Sequence, residues 1–176
     1  MKVRNDQTEG TVKKCPVSSD NNVVTSNEPS KQELDCIKDL GELTGKTNVE
    51  IESILKAKGF GDPAIADNGG VIYVKKLNER AVGIRLDPAV LKTRNIRRAD
   101  DIPHVHKESL SSADIKPDGT YKYSAPTCIY DDKGVCKGKR ENGNLVGPKG
   151  EQIDAKPKDN IMIETHIPMR YRGIQR

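Results

Sequence analysis

The hydrophobic period of this chain changes once, near Gly59, and that change confines it to a mixed architecture. Upstream, apolar residues recur at helical spacing: Leu34, Ile37 and Leu40, then Val49, Ile51, Ile54 and Leu55. Ser30 with Glu33 has the offset of a capping box, so the spacing predicts a first helix over about 31–42. Thr47 or Asn48 caps a second helix, which stops at Gly59. Downstream the pattern is extended. Asp67-Asn68-Gly69-Gly70 reads as a turn, Val71-Ile72-Tyr73-Val74 as a strand, Asn78-Glu79-Arg80 as a turn and 81–86 as its hairpin partner. Pro103 favours an extended entry into His104-Val105-His106, and Thr127-Cys128-Ile129-Tyr130 is a further strand. The alternation over 161–167, ended by Pro168, is expected to be the last strand. Residues 107–125 read mostly as loop, 134–158 as a Gly/Lys/Pro-rich excursion, and 90–101 as a basic stretch without a clear period. Two helices followed by antiparallel strands make an α+β fold.

A length of 176 residues suits one domain. With 34% hydrophobic residues, one Phe and no Trp, the compact part should be smaller than the chain. Residues 1–29 are polar and read as a linker, leaving 30–176 as the folded domain. The net charge of +4 is concentrated between Arg80 and Arg98 and in the tail with Arg170, Arg172 and Arg176, which suits a polyanionic partner. No apolar run approaches the roughly 20 residues that span a bilayer.

The four cysteines fall into two sequence-local pairs, Cys15 with Cys36 and Cys128 with Cys136. Neither has zinc-knuckle spacing. Cys128 and Cys136 flank Asp132-Lys133-Gly134, a hairpin turn that would set them across a ladder, so disulfides are expected.

Chemistry rests on three histidines, His104, His106 and His166, all in segments read as strands. On a strand, His104 and His106 share one face. Imidazole can give and take protons near neutral pH, as cleavage of a phosphodiester requires. In this reading His104 or His106 works with His166, Thr165 bonds a phosphate oxygen or an imidazole, and Arg170 and Lys107 take the phosphate charge. Other readings fare differently. Gly41 to Thr47 is not a P-loop, because three residues rather than four separate its glycines and it lies between helices. No nucleophile elbow is present. His104-x-His106 with His166 could alternatively hold a metal, although no H-E-x-x-H pattern supports it. A non-enzymatic binding module is the remaining class.

Several of these segments, taken in order, resemble a known family. They are Leu43-Thr44-Gly45-Lys46 into 50–60, Gly69-Gly70-Val71-Ile72-Tyr73 into Gly83-Ile84-Arg85-Leu86-Asp87-Pro88, Pro103-His104-Val105-His106 and Thr165-His166-Ile167-Pro168. Their succession resembles the C-terminal toxin domains of bacterial contact-dependent inhibition and polymorphic toxin systems with the barnase–EndoU–colicin–RelE ribonuclease fold. The resemblance implies N-terminal helices on a curved antiparallel sheet of four to five strands, and metal-independent, cofactor-free cleavage of RNA, with tRNA the foremost candidate. It places catalysis at His104, His106, His166, Thr165 and Arg170. Lys107, Arg85, Arg172 and Tyr171 are expected to bind substrate, with Arg85, Lys107, Arg170 and Arg172 ringing the cleft. It further implies delivery by a large cell-surface effector, action in the target cytoplasm, no stable membrane association, and an acidic immunity protein as partner. Residues 1–29 would then be the tail of a cytoplasm-entry segment.

Overall fold

A computed structural model describes residues 28–67, 69–89 and 102–170. The stretch 90–101, Tyr171, Arg172 and nearly all of the expected linker, with Cys15, lie outside the described residues.

The first helix, α1 (Lys31–Leu40), begins at the expected capping box: Ser30 Oγ accepts from the Glu33 amide at 3.3 Å and Glu33 Oε2 accepts from the Ser30 amide at 2.8 Å. Helix α2 (Asn48–Ala57) repeats the device with Thr47 as N-cap and Glu50 as its reciprocal partner. Next come β1 (Ala64–Ile65), β2 (Val71–Leu77), β3 (Arg80–Asp87) and β4 (His104–Ser111). After a short 3-10 turn, Ser112–Asp114, the chain forms β5 (Cys128–Tyr130), β6 (Cys136–Glu141), β7 (Asn144–Val146), α3 (Ala155–Thr165) and β8 (Ile167–Pro168).

The class is α+β, as expected, but the antiparallel sheet is larger than four or five strands. Strands β1 to β7 lie side by side in chain order, and β8 adds to β4. Extra strands come from segments read as loop. Strand β4 runs on past His106 to Ser111 because it pairs with β3 along its whole length. The glycine-rich excursion contains the β6–β7 hairpin, turned by Asn142 and Gly143, both at positive φ. The largest correction concerns 161–167. It is not a strand; 155–165 form a helix, and only Ile167 and Pro168 are extended. Pro157 fits the first turn, where no amide partner is needed. Thr165 then donates to Ile161 O, a helical spacing that imitates strand alternation over so few residues.

Side chains alternate across the sheet. On one face, Tyr73, Leu77, Val82, Ile84, Leu86, Val105, Cys128 and Tyr130 pack against Ile37, Leu40, Ile51 and Leu55 of α1 and α2. Each such buried side chain contributes about 1.5–3 kcal/mol. The opposite face carries a smaller cluster of Ile72, Ala81, Leu110 and Tyr121, and beside it stand the residues of chemical interest. Cys128 and Cys136 form the expected disulfide between β5 and β6, with Cα atoms 5.8 Å apart.

Candidate active site: three histidines beside a buried carboxylate

Register fixes which side chains meet. In the β3–β4 ladder Asp87 pairs with His104, Arg85 with His106 and Gly83 with Glu108, so these side chains share the face away from α1 and α2. His166 reaches the same place from the C-terminal end of α3. Strand β8 follows at once and pairs Pro168 with His104 and Ile167 with Val105, on the part of the β4 edge that β5 leaves.

The three imidazoles therefore converge. Ring centroids are 5.0 Å apart for His104 and His106, 4.6 Å for His104 and His166, and 4.5 Å for His106 and His166. One nitrogen from each ring lies within 4.8 Å of the others. The residues are 3%, 6% and 9% exposed. Backbone carbonyls fix two of the tautomers. His104 Nδ1 is 2.9 Å from Ile102 O, and His166 Nδ1 is bonded to Met162 O. A carbonyl only accepts, so each Nδ1 carries the proton and, in the neutral ring, Nε2 carries the lone pair.

Asp87 completes the group. Its Oδ2 lies 3.4 Å from His106 Nε2 and 3.7 Å from His104 Nε2. Arg85 holds it, with Nη1 at 3.1 Å from the same oxygen, and grips Glu108 through Nε and Nη2 at 3.1 Å each. The Tyr121 hydroxyl donates to Glu108 Oε1 at 2.7 Å. Gly83 makes room for that ring; a Cβ there would run into the Tyr121 phenol.

Burial and charge set the protonation states. Burial works against charge on Asp87, but the hydrogen bond from His106 and the nearby Arg85, His106 and His104 outweigh it, holding this carboxyl well below the usual carboxylate range. His166 moves the other way: burial first, then the neighbouring His106 and His104, push its pKa down to about 3. Its ring is neutral at pH 7.

No protein-family model, curated protein or solved structure matches the chain.

The fold brings together only some of the residues expected from sequence. His104, His106, His166 and Arg85 meet; Arg85 does so as a half-buried, doubly paired cation rather than an open phosphate ligand. Lys107 points to the opposite face, because odd and even residues of β4 diverge there. It is buried, and its ammonium donates to Gly41 O at 2.7 Å and Asp132 O at 2.9 Å and pairs with Asp132 Oδ1 at 2.9 Å. Thr165 spends its hydroxyl on Ile161 O at 2.8 Å. Arg170 donates from Nε to Gly45 O at 2.7 Å and pairs its backbone with the 46–48 segment. Of the cations expected around the cleft, Arg85 is held in two ion pairs and Lys107 lies on the other face of the sheet, while Tyr171 and Arg172 lie outside the described residues. Asp87, Glu108 and Tyr121 were not anticipated. Glu108 has a sequence signal, its even spacing from His104 and His106 along β4, whereas Asp87 joins them only through the β3–β4 register, which pairs it with His104. Tyr121 has none.

Proposed function

We propose that this chain is a nuclease whose reaction centre is the His104–His106–His166 cluster, with RNA as substrate. The observation that carries the reading is the convergence of all three imidazoles of the chain, from two segments about 60 residues apart in sequence, beside a structurally braced carboxylate. Four side chains that act on protons or cations in one small space are costly to bury unless they serve a purpose. Arg85 and Tyr121 also line a neighbouring cleft of about 460 Å³, where the exposed Lys116 and Lys122 stand beside Asp67 and Asp118 and would be the contacts for a phosphate chain. The choice of RNA rests on the resemblance to contact-dependent toxin domains. With it come delivery into a target bacterium and an acidic immunity protein as partner, one that would engage Lys116 and Lys122 rather than Lys107.

The neutral His166 bears on mechanism. A ring that stays unprotonated to about pH 3 does not donate a proton to a leaving 5′-oxygen at neutral pH. The purified protein should cut total RNA into discrete fragments, and His104→Ala should reduce the rate by about 100-fold or more. RNA left intact by folded protein, or cut equally well by folded His104→Ala, contradicts the proposal.

A further inference from the structure

We infer that His104, His106, His166 and Asp87 form a binding site for a zinc-class divalent metal ion. The inference rests on reading this cluster as the functional site, and it departs from the metal-free chemistry expected from sequence.

Geometry is the first argument. Four-coordinate zinc takes imidazole nitrogen at about 2.0–2.1 Å and carboxylate oxygen at about 2.0–2.2 Å, so neighbouring ligand atoms in a tetrahedron stand about 3.3–3.5 Å apart. Asp87 Oδ2 is 3.4 Å from His106 Nε2 and 3.7 Å from His104 Nε2, so the three atoms need only small shifts to share one ion. The His166 ring lies 4.6 and 4.5 Å from the other two, centroid to centroid, which brings the third imidazole within reach.

Proton placement is the second. His104 and His166 each commit Nδ1–H to a backbone carbonyl, the arrangement that orients imidazoles bound to metal and raises their basicity. His104 Nε2 faces Asp87 Oδ2 at 3.7 Å, so one cation placed between them would be held by both.

Charge and support are the third. Asp87 and Glu108 carry two negative charges against one on Arg85, which leaves the surround net negative. Arg85 shares Oδ2 with the histidines, yet Asp87 Oδ1 is buried without a hydrogen-bond partner among the described residues, so the carboxylate keeps an acceptor in reserve. A set of three nitrogens and one oxygen suits zinc or cobalt(II), whereas magnesium and calcium take oxygen ligands.

The test is titration of the full chain, stripped of metal, with cobalt(II). An intense visible absorption that saturates at one ion per chain, and that stoichiometric zinc abolishes, is the expected result. His106→Gln should weaken zinc binding at least about 10-fold and Asp87→Asn about 10- to 100-fold, with circular dichroism confirming that each variant is folded. A parent protein that gives no saturable cobalt spectrum overturns the inference whatever the variants do. So does a parent spectrum retained at full affinity in folded His106→Gln. Because the spectrum reads binding alone, protein that binds cobalt but leaves RNA intact sinks only the nuclease reading, and protein that cuts RNA but binds no cobalt sinks only this one.

Discussion

Asp87 Oδ2 meets His106 Nε2 at 3.4 Å although the two residues are not opposite one another in the sheet; the register pairs Asp87 with His104 and Arg85 with His106. The contact is a diagonal one, and Arg85 makes the parallel diagonal to Glu108. The two diagonals link Tyr121, Glu108, Arg85, Asp87 and the imidazoles into one chain of polar contacts. Disturbing either end should be felt at the other.

Gly83 gives the simplest way to disturb it. A methyl group there would run into the buried Tyr121 phenol, which donates to Glu108. Gly83→Ala is expected to cost about 1–3 kcal/mol of stability through overpacking, and to weaken metal binding although residue 83 touches no histidine. Denaturant unfolding with a parallel zinc titration checks both; a variant as stable as the parent with unchanged affinity would disprove the coupling.

Lys107 separates a structural role from a substrate-binding one. Its ammonium is buried among Gly41 O, Asp132 O and the Asp132 carboxylate, tying the turn after β5 to the end of α1. Lys107→Met removes one partner of a largely buried pair and should destabilise the fold by about 3–5 kcal/mol. Zinc affinity of the folded fraction should stay at the parent value. Weakened RNA binding without loss of stability would instead restore Lys107 to the substrate site.

These two positions mark how far the sequence could be read. The start of α1 was legible because Ser30 with Glu33 satisfies a local rule that distant residues do not alter, and that of α2 was legible to within one residue, as Thr47 or Asn48. The β2–β3 hairpin and the Cys128–Cys136 bridge were legible for the same reason. The histidine face of β4 followed from alternation alone. What strand alternation could not reveal was which face α1 and α2 would cover, and that decides why Lys107 is buried away from His106. Over 161–167 helical and extended spacing coincide, so tertiary pairing of Ile167 and Pro168 with β4 determines where helix ends and strand begins. Arg85 looked like an open phosphate ligand because its partner Glu108 is 23 residues away.

The disulfide closes a short loop, Cys128 and Cys136 being eight positions apart in sequence. Cross-linking a loop of that size is worth about 2–3 kcal/mol on the chain-entropy account. The double variant Cys128→Ser/Cys136→Ser should lower the unfolding free energy by that amount. An unchanged denaturation midpoint would show that the bridge contributes nothing measurable.

Acid should weaken the metal-free protein earlier than ordinary carboxylate titration explains. In the unfolded chain His166 takes up a proton near pH 6.5, while in the folded chain it stays neutral until about pH 3. Between those values the unfolded state binds more protons, so stability falls as pH falls through that window. Asp87, with its pKa depressed below the carboxylate range, adds a loss that begins as pH falls below the ordinary aspartate value of 3.8. In the presence of a chelator, melting temperatures of parent and His166→Gln should converge as pH is lowered from about 6.5 towards 4. Parallel curves would exclude His166 as the source.

The central claim is that the three-histidine cluster is a metal-assisted reaction centre. Its most direct test is the rate of RNA cleavage by one preparation measured as purified, after removal of metal with EDTA, and after return of zinc, with folded His166→Ala alongside. The account predicts cleavage that is lost on chelation, restored by zinc and absent from His166→Ala. Cleavage at the same rate in all four samples would contradict it.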